Sequence, residues 1–315
     1  MKNKMLKILE KNRGKYVKSK EIASALGVSR MAVSKAVHSL IEQGIDITVS
    51  KTCGYKIPDD FNAVLAPTVA AYLDDSYDNI LCYESVTSTN ELAKSMAVAG
   101  APDMSTVIAE HQSGGRGRYG RSFHSPKNTG IYMSIILRPH RYESDVLYTV
   151  AAAVALRRVI SKYDSEARIK WVNDIYIKDR KVAGILCEAV SEFESGSMSA
   201  VICGIGINLT RPDEPFPAEL QNKAGYVSDT GINRSQFAAE VIKSIGEVMR
   251  SDKKDIIKEY ADYSMLIGRK IRYQKNEEIF CATATGIDET GGLIVEDDSS
   301  NTEILRSGEV TLEAF

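Results

Sequence analysis

The stretch Gln112-Ser113-Gly114-Gly115-Arg116-Gly117-Arg118-Tyr119-Gly120-Arg121 interleaves four glycines with three arginines. Glycine admits positive φ and lets a ligand approach the main chain closely. Each guanidinium offers a planar fork of donors matched to phosphate or carboxylate. Together they point to a mobile cationic loop that folds over an anionic ligand. Gly115, Gly117 and Gly120 also spell G-x-G-x-x-G, which in a dinucleotide-binding unit follows a strand and opens a helix. A strand-like run, Thr106-Val107-Ile108-Ala109-Glu110, does precede it. The next residues, Ser122 to Gly130, have the composition of a loop, so the dinucleotide reading fails. A solvated basic loop or a nucleic-acid-binding arm is the competing reading. Such arms usually repeat, and this one occurs once, between apolar strands.

Downstream of the loop, Ile131 to Leu137 reads as a buried strand, and Val146 to Ile160 as an alanine-rich helix able to pack closely on a sheet. Arg168-Ile169-Lys170-Trp171-Val172-Asn173-Asp174-Ile175-Tyr176-Ile177 reads as a strand with Lys170 in an apolar setting beside the single tryptophan. A long lysine usually snorkels to solvent; a lysine fixed near a bound anion is the sharper reading. Asp179-Arg180 makes a turn, and Lys181 to Glu188 returns as the partner strand. Ala200 to Leu209 adds another, with Gly204 and Gly206 where a ligand or a second backbone comes close. Gln236 to Met249 has the pattern of an amphipathic helix, and from Ile267 onward short alternating runs suggest a small β-barrel.

Upstream, Ile80 to Glu84 is a strand. Ser88-Thr89-Asn90 opens a helix bearing Leu92, Ala93 and Met96, either as a simple N-cap or as a holder for a polar ligand head. Residues 5 to 57 form a separate module. Met5, Leu6, Ile8 and Leu9 fall at helical spacing, Ser19 stands where a cap for a second helix belongs, Gly27-Val28 turns the chain, and Ser29 caps a third helix running to about Gln43. In that helix Met31, Ala32, Ala36, Val37 and Leu40 are expected inward, and Ser29, Arg30, Ser34, Lys35 and His38 toward DNA. This is helix-turn-helix chemistry, with polar residues at the start of the recognition helix. Ile47 to Ser50 and Gly54 to Ile57 add a hairpin, a wing; a helical dimerisation module is the competing reading. Pro58 to Asn62 breaks the pattern as a linker, and a short helix is expected at Thr68 to Leu73.

Composition agrees with a soluble chain of two or three domains: 315 residues, 43% hydrophobic and 26% charged,. A net charge of -2 leaves no global basic character, so any DNA binding must come from a local patch,. The five cysteines are scattered without a C-x-x-C pair, and the four histidines are dispersed, which argues for reduced thiols and against a zinc site,. No apolar run approaches a membrane span, and the start is not a long apolar signal segment, so a cytoplasmic location is expected.

Taken in order, Ser88-Thr89-Asn90, Gly115 through Arg121, Lys170-Trp171-x-Asn173-Asp174 and Gly204-x-Gly206-x-Asn208 resemble the bifunctional biotin–protein ligase and biotin-operon repressor family over essentially the whole chain. The resemblance implies an α+β protein with a winged helix-turn-helix at 1–60, a mixed α/β ligase domain at 64–265 and an SH3-like β-barrel at 266–315. It implies activation of biotin with ATP and Mg²⁺ to biotinyl-5′-AMP, then transfer to a lysine of a biotin carboxyl carrier protein. It further implies repression of biotin-operon DNA with the adenylate as corepressor, by a ligand-promoted homodimer.

On the family pattern, Ser88, Thr89, Asn90 and Gln112 hold biotin, Arg116, Gly117 and Arg118 hold biotin and the adenylate phosphate, and Lys170 contacts the reacting carboxylate and phosphate. Lys170, Arg116 and Arg118 are the catalytic set. Arg121, Phe123, Asn173 and Asn208 complete the adenylate site, and Asp174 is a candidate Mg²⁺ ligand. Three positions depart from the pattern: Val172 for proline, Tyr119 for arginine and Phe123 for tryptophan. Two other readings compete: a ligand-sensing transcription factor with little ligase activity, which would need a broken loop or a missing Lys170, and a lipoate or octanoate ligase relative, which shares the catalytic fold but is not expected to carry this arginine–glycine loop or the winged helix.

Overall fold

The computed structural model describes residues 1–74, 77, 79–138, 145–191, 198–212, 214–275 and 278–312, so the last residues of the expected 266–315 domain lie outside the described residues. The first unit holds α1 (Lys2–Lys11), α2 (Ser19–Leu26), α3 (Arg30–Glu42), and the hairpin β1 (Thr48–Ser50) and β2 (Gly54–Lys56), paired with Val49 opposite Tyr55. Gly27 closes α2 in the left-handed region at φ 65°, where a side chain would be strained. Ser29 caps α3 by accepting from the Ala32 amide at 3.1 Å, a contact worth about 1 kcal/mol.

Two expectations in this unit need correction. Ser19 is the first residue of α2, and Lys18 stands at the cap position with no side-chain bond. Met31 is 73% exposed, and Val33 joins Ala36, Val37 and Leu40 in the buried stripe. The reason is angular. Residues 33, 36, 37 and 40 share one face, while 31 lies about 200° from 33 around a helix of 3.6 residues per turn.

The central unit is a seven-stranded sheet in the order β3-β4-β5-β9-β8-β7-β6. Its strands are β3 (Ile80–Tyr83), β4 (Thr106–Ala109), β5 (Gly130–Leu137), β6 (Ala167–Lys170), β7 (Asp174–Ile177), β8 (Arg180–Ser191) and β9 (Met198–Asn208). Only the β3–β4 pair is parallel. Four helices join it: α4 (Ala66–Ala70), α5 (Thr89–Val98), α6 (Asp145–Ile160) and α7 (Arg234–Val248). Helix α5 covers one face, and α6, backed by α7, covers the other. Alanines 151, 152, 153 and 155 are fully buried along α6, small enough for close helix–sheet approach.

The glycine-rich stretch is followed by β5 and not by a helix, as the rejected dinucleotide reading requires. The run 168–177 is not one strand. Trp171, Val172 and Asn173 form a turn, with a cis peptide between the first two, that splits it into the β6–β7 hairpin. Lys178 and Asp179 make the next turn, and Arg180 already opens β8.

Helix α8 (Lys253–Asp262) leads into β10 (Lys270–Lys275), β11 (Glu278–Ile287), β12 (Leu293–Glu296), β13 (Thr302–Leu305) and β14 (Val310–Leu312). These strands form an antiparallel sheet in the order β13-β12-β11-β10-β14. The C-terminal unit shares one hydrophobic cluster with the central unit, whereas the winged helix keeps its own around Met5, Leu9, Ile22 and Leu40. Trp171 adds a polar tie, donating its indole N–H to the Gly291 carbonyl at 3.0 Å.

Candidate active site

A cavity of about 650 Å³ opens where the sheet, the start of α5, the glycine–arginine loop, the β6–β7 hairpin and the C-terminal unit meet. That size suits a ligand of cofactor dimensions. Ser88, Thr89, Asn90, Gln112, Arg116, Gly117, Arg118, Arg121, Phe123, Lys170, Asn173, Asp174 and Asn208 all line it. Every position singled out for ligand or metal from the sequence is therefore brought to one place.

Its floor is made by glycines. Gly184 of β8 pairs with Gly206 of β9, and Gly204 lies two residues further along. A Cβ on Gly204 would fall on the Asn90 amide, and one on Gly206 would come within 2.6 Å of the Phe123 ring. So the strand glycines let two lining side chains lie flat on the sheet. Phe123 sits edge-on to Tyr132, with ring centroids 6.3 Å apart.

At one end the start of α5 presents buried Ser88, Thr89 and Asn90. The Ser88 side chain makes no capping bond. Instead the Thr89 amide donates to Gln112 Oε1 at 2.9 Å, and Gln112 Nε2 donates to Ser125 Oγ at 3.1 Å. Ser134 donates to Asn90 Oδ1 at 2.6 Å, and Asn90 Nδ2 donates to Glu188 Oε2 at 2.6 Å. Glu188 is closed by Lys94 at 2.5 Å. These bonds fix the amides and hydroxyls in a rigid polar end wall.

The glycine–arginine loop is a tight hairpin. Gly117 donates its amide to the Arg121 carbonyl at 2.7 Å, and Phe123 to Gly115 at 2.9 Å. At its tip Tyr119 has φ 57°, is 62% exposed, and accepts from the Gly308 amide at 3.0 Å. Arg121 pairs with Glu309 of the C-terminal unit, Arg116 with Glu91 of α5 at 3.2 Å, and Arg118 donates to Asn173 Oδ1 at 3.4 Å. Asn173 is itself held by its Nδ2, which donates to the Ile185 carbonyl at 2.8 Å. Asn208 Nδ2 donates to Gly225 O at 3.0 Å.

Among the lining residues, six lysines and arginines face two acids, Asp174 and Glu309. Burial lowers the Lys170 pKa from the ordinary lysine value, with Asp174 opposing the shift. Its ammonium lies 5.4 Å from the centre of the Tyr176 ring. Lys181 was missed in the sequence, where it reads only as the start of a partner strand. It pairs with Asp174 at 2.6 Å, and its ammonium stands 3.1 Å from where a Cβ of Gly184 would be. That puts it over the glycine floor beside Gly184, whose strand partner Gly206 lies under the Phe123 ring. The signal available was the pairing of Lys181 with Tyr176 across the hairpin, which needs the turn at 178–179 to be placed correctly.

The second candidate surface is on α3. Ser29, Arg30, Lys35 and His38 are exposed and Ser34 is half-buried. His38 Nδ1 lies 2.9 Å from the Ser34 carbonyl, which leaves Nε2 to solvent. Residues 1–60 contain twelve lysines and arginines against six acids, so the positive charge missing from the whole chain is concentrated here. No helix among the described residues is long and apolar enough to cross a membrane.

Comparison with known proteins agrees with this geometry. The family model for the biotin/lipoate A/B protein ligase family matches residues 82–208, an HTH domain model matches 2–56, and the biotin protein ligase C terminal domain matches 266–312. The chain is 28% identical over 303 residues to the bifunctional ligase/repressor BirA of Bacillus subtilis (strain 168), covering 93% of each. It is 25% identical over 297 residues to that of Escherichia coli (strain K12), covering 90% of this chain and 89% of the other. Among solved structures, the biotin protein ligase from Aquifex aeolicus in complex with biotin and ATP superposes with TM-score 0.65 at 23% identity, over 75% of this chain and 99% of that one, which shows the shared fold. With a matching domain at each end and the ligase model across the cavity between them, this chain belongs to the biotin/lipoate A/B protein ligase family, in the form that bears an N-terminal helix-turn-helix domain.

Proposed function

We propose that the protein activates biotin with ATP to biotinyl-5′-AMP, transfers biotin to a specific lysine of a biotin carboxyl carrier protein, and represses a biotin operon with the adenylate as corepressor. The observation that supports this most is the single cavity. A polar end wall suited to biotin, a cluster of cations suited to phosphate, and Phe123 on the glycine floor, suited to adenine, all line it.

In the first half-reaction the biotin carboxylate attacks the α-phosphorus of ATP. A bond from carboxylate oxygen to phosphorus forms, and the bond to pyrophosphate breaks. Both reactants are anionic, so the protein's task is to neutralise them and the charge that builds between them. Arg116, Arg118 and Lys170 do this, joined by Lys181, whose ammonium is beside Gly184 of the floor. The carboxylate is its own nucleophile, so no activated side chain is required. Ser88, Thr89, Asn90 and Gln112 hold the biotin head with Gly117 beside it, while Arg121, Phe123, Asn173 and Asn208 surround the adenylate. In the second half-reaction the carrier lysine attacks the acyl carbon, AMP departs with the bonding electrons, and a proton leaves the new amide nitrogen.

Mg²⁺ is commonly held by one or two carboxylates together with substrate phosphates. No cluster of three acidic, histidine or cysteine ligands occurs among the described residues. A single carboxylate, Asp174, beside the phosphate end suits that sparse mode, and the ion would there neutralise phosphate charge. The DNA-binding role belongs to Ser29, Arg30, Ser34, Lys35 and His38. A ligand-promoted homodimer is the natural reader, since one recognition helix alone gives little specificity and two half-sites are the usual solution. The reading implies a cytoplasmic protein.

The deciding experiment is ATP–pyrophosphate exchange by the purified chain with biotin, lipoate or octanoate as acid. Exchange that depends on biotin alone is expected. Exchange with lipoate or octanoate instead would replace the reading, and no exchange with any acid would leave a ligand sensor.

A further inference from the structure

Met31 is an anomaly in its own helix. It is the second residue of α3, 73% exposed, and the most exposed large apolar side chain of the winged-helix unit. The other exposed apolar groups there have identifiable settings. Met1 stands at the cap position of α1, Tyr16 is covered by the Lys56 ammonium at 5.2 Å, Val49 is on the wing, and Ile41 is at the far end of α3. Met31 shares the first turn with Arg30, and Lys35 follows one turn later, both exposed. Lys18 and Lys20, at the start of α2, are exposed as well, and Glu21 is the one acid exposed with them on that helix.

An apolar side chain flanked on its own helix by exposed Arg30 and Lys35 suits a surface that is polyanionic outside and has apolar points within. The DNA major groove has that character, because each thymine presents a C5-methyl between phosphate-lined walls. The N-terminal residues of a recognition helix are those that reach base edges. An unbranched thioether can adjust to a methyl group without exact placement. We propose that Met31 is a base-reading residue that recognises a thymine methyl group in the operator, with Arg30 and Lys35 positioned for the neighbouring phosphates or purines. The proposal rests on the DNA-binding part of the proposed function and assigns its apolar contact.

The test uses the full chain with biotin and ATP present. An operator is first obtained by selection from random duplexes, and each thymine is then replaced singly by deoxyuridine, which deletes only the methyl. Wild type is expected to lose about fourfold in affinity at one thymine of each half-site, the ratio for one buried methyl group. Met31→Ala is expected to bind the thymine duplex about fourfold more weakly than wild type and to be indifferent to deoxyuridine at that position. Met31→Leu should keep the discrimination. An unchanged melting temperature for both variants excludes misfolding. If deoxyuridine affects wild type and Met31→Ala alike at every thymine, Met31 reads no methyl and the proposal is overturned while DNA binding stands. If selection yields no preferred duplex for wild type, the repressor reading fails and this proposal fails with it.

Discussion

Lys181 and Lys170 line the cavity from β8 and β6, the two strands that flank β7, and stand in different surroundings. Lys181 is ion-paired with Asp174 over the glycine floor, whereas Lys170 is half-buried beside Tyr176, with burial disfavouring its charged form. Both are available to neutralise the carboxylate and the α-phosphate. Removing one preorganised donor to transition-state charge commonly costs about 3–4 kcal/mol, or about 10²–10³ in rate. Lys181→Ala and Lys170→Ala should each lower biotin-dependent pyrophosphate exchange by about that factor while the circular dichroism spectrum stays that of wild type. An exchange rate near wild type for either variant would remove that lysine from the catalytic set. Asp174→Asn should act differently, freeing Lys181 from its partner and changing the Mg²⁺ dependence of exchange more than the dependence on biotin.

The glycine-bearing strand β9 contributes specificity by what it leaves out. A methyl group on Gly206 would push against the Phe123 ring, and one on Gly204 against the Asn90 amide. Gly206→Ala should therefore raise the KM for ATP, the ligand whose adenine Phe123 would cover, and Gly204→Ala the KM for biotin. A several-fold rise in one constant with the other nearly unchanged is the expected result in steady-state assays. If both variants raise both constants equally, the floor is one site without separate ends.

These glycines were legible in the sequence because a strand interior seldom contains two of them without a close neighbour. The neighbours themselves were not, since Asn90 and Phe123 arrive from segments over a hundred and about eighty residues away. The same limit explains Lys181. Its role depends on which residue opens β8, and a one-position error in the turn at 178–179 reverses the face of every following side chain. The turn at 171–173 was hidden because Trp171 and Val172 continue an apolar run. Helix α8 was hidden because among its ten residues only Ile256 and Tyr260 are buried, too few to draw a stripe. Met31 was misplaced because hydrophobicity alone assigned it to the core.

Across the whole molecule the units are joined in two ways. The ligase and C-terminal units share a continuous apolar core, while the winged helix has its own and meets the ligase unit through Phe61, Leu65 and Ala71, which pack against that core, and through a set of polar bonds. There Lys7 Nζ donates to Leu73 O at 2.6 Å, and Tyr72 Oη donates to Glu10 Oε2 at 2.6 Å. Asn233, the cap of α7, donates in turn to Tyr72 Oη at 2.8 Å. Arg13 grips Glu10 with two bonds of 2.9 Å and the Phe61 carbonyl at 2.5 Å. The segment read as a linker is thus anchored rather than loose.

Tyr72→Phe removes the bonds through the hydroxyl but leaves Glu10 satisfied by Arg13, so the cost should be about 1–2 kcal/mol, that of lost hydrogen bonds to partners still solvated or paired. For a unit of this size each kcal/mol lowers the melting temperature by about 4–8 °C. Scanning calorimetry should resolve a winged-helix transition that moves down by that amount while the larger ligase unit, which loses only the Asn233–Tyr72 bond, moves less. Burial, reinforced by Glu10, raises the Tyr72 pKa above its ordinary 10.0. The folded state therefore keeps this proton where the unfolded chain releases it, and the stabilisation is complete below pH 10 and declines above it. Wild type should lose winged-helix stability above pH 10 more steeply than Tyr72→Phe, in which that titration is absent. Parallel shifts of both transitions, or equal slopes above pH 10, would mean that the junction does not separate the two units.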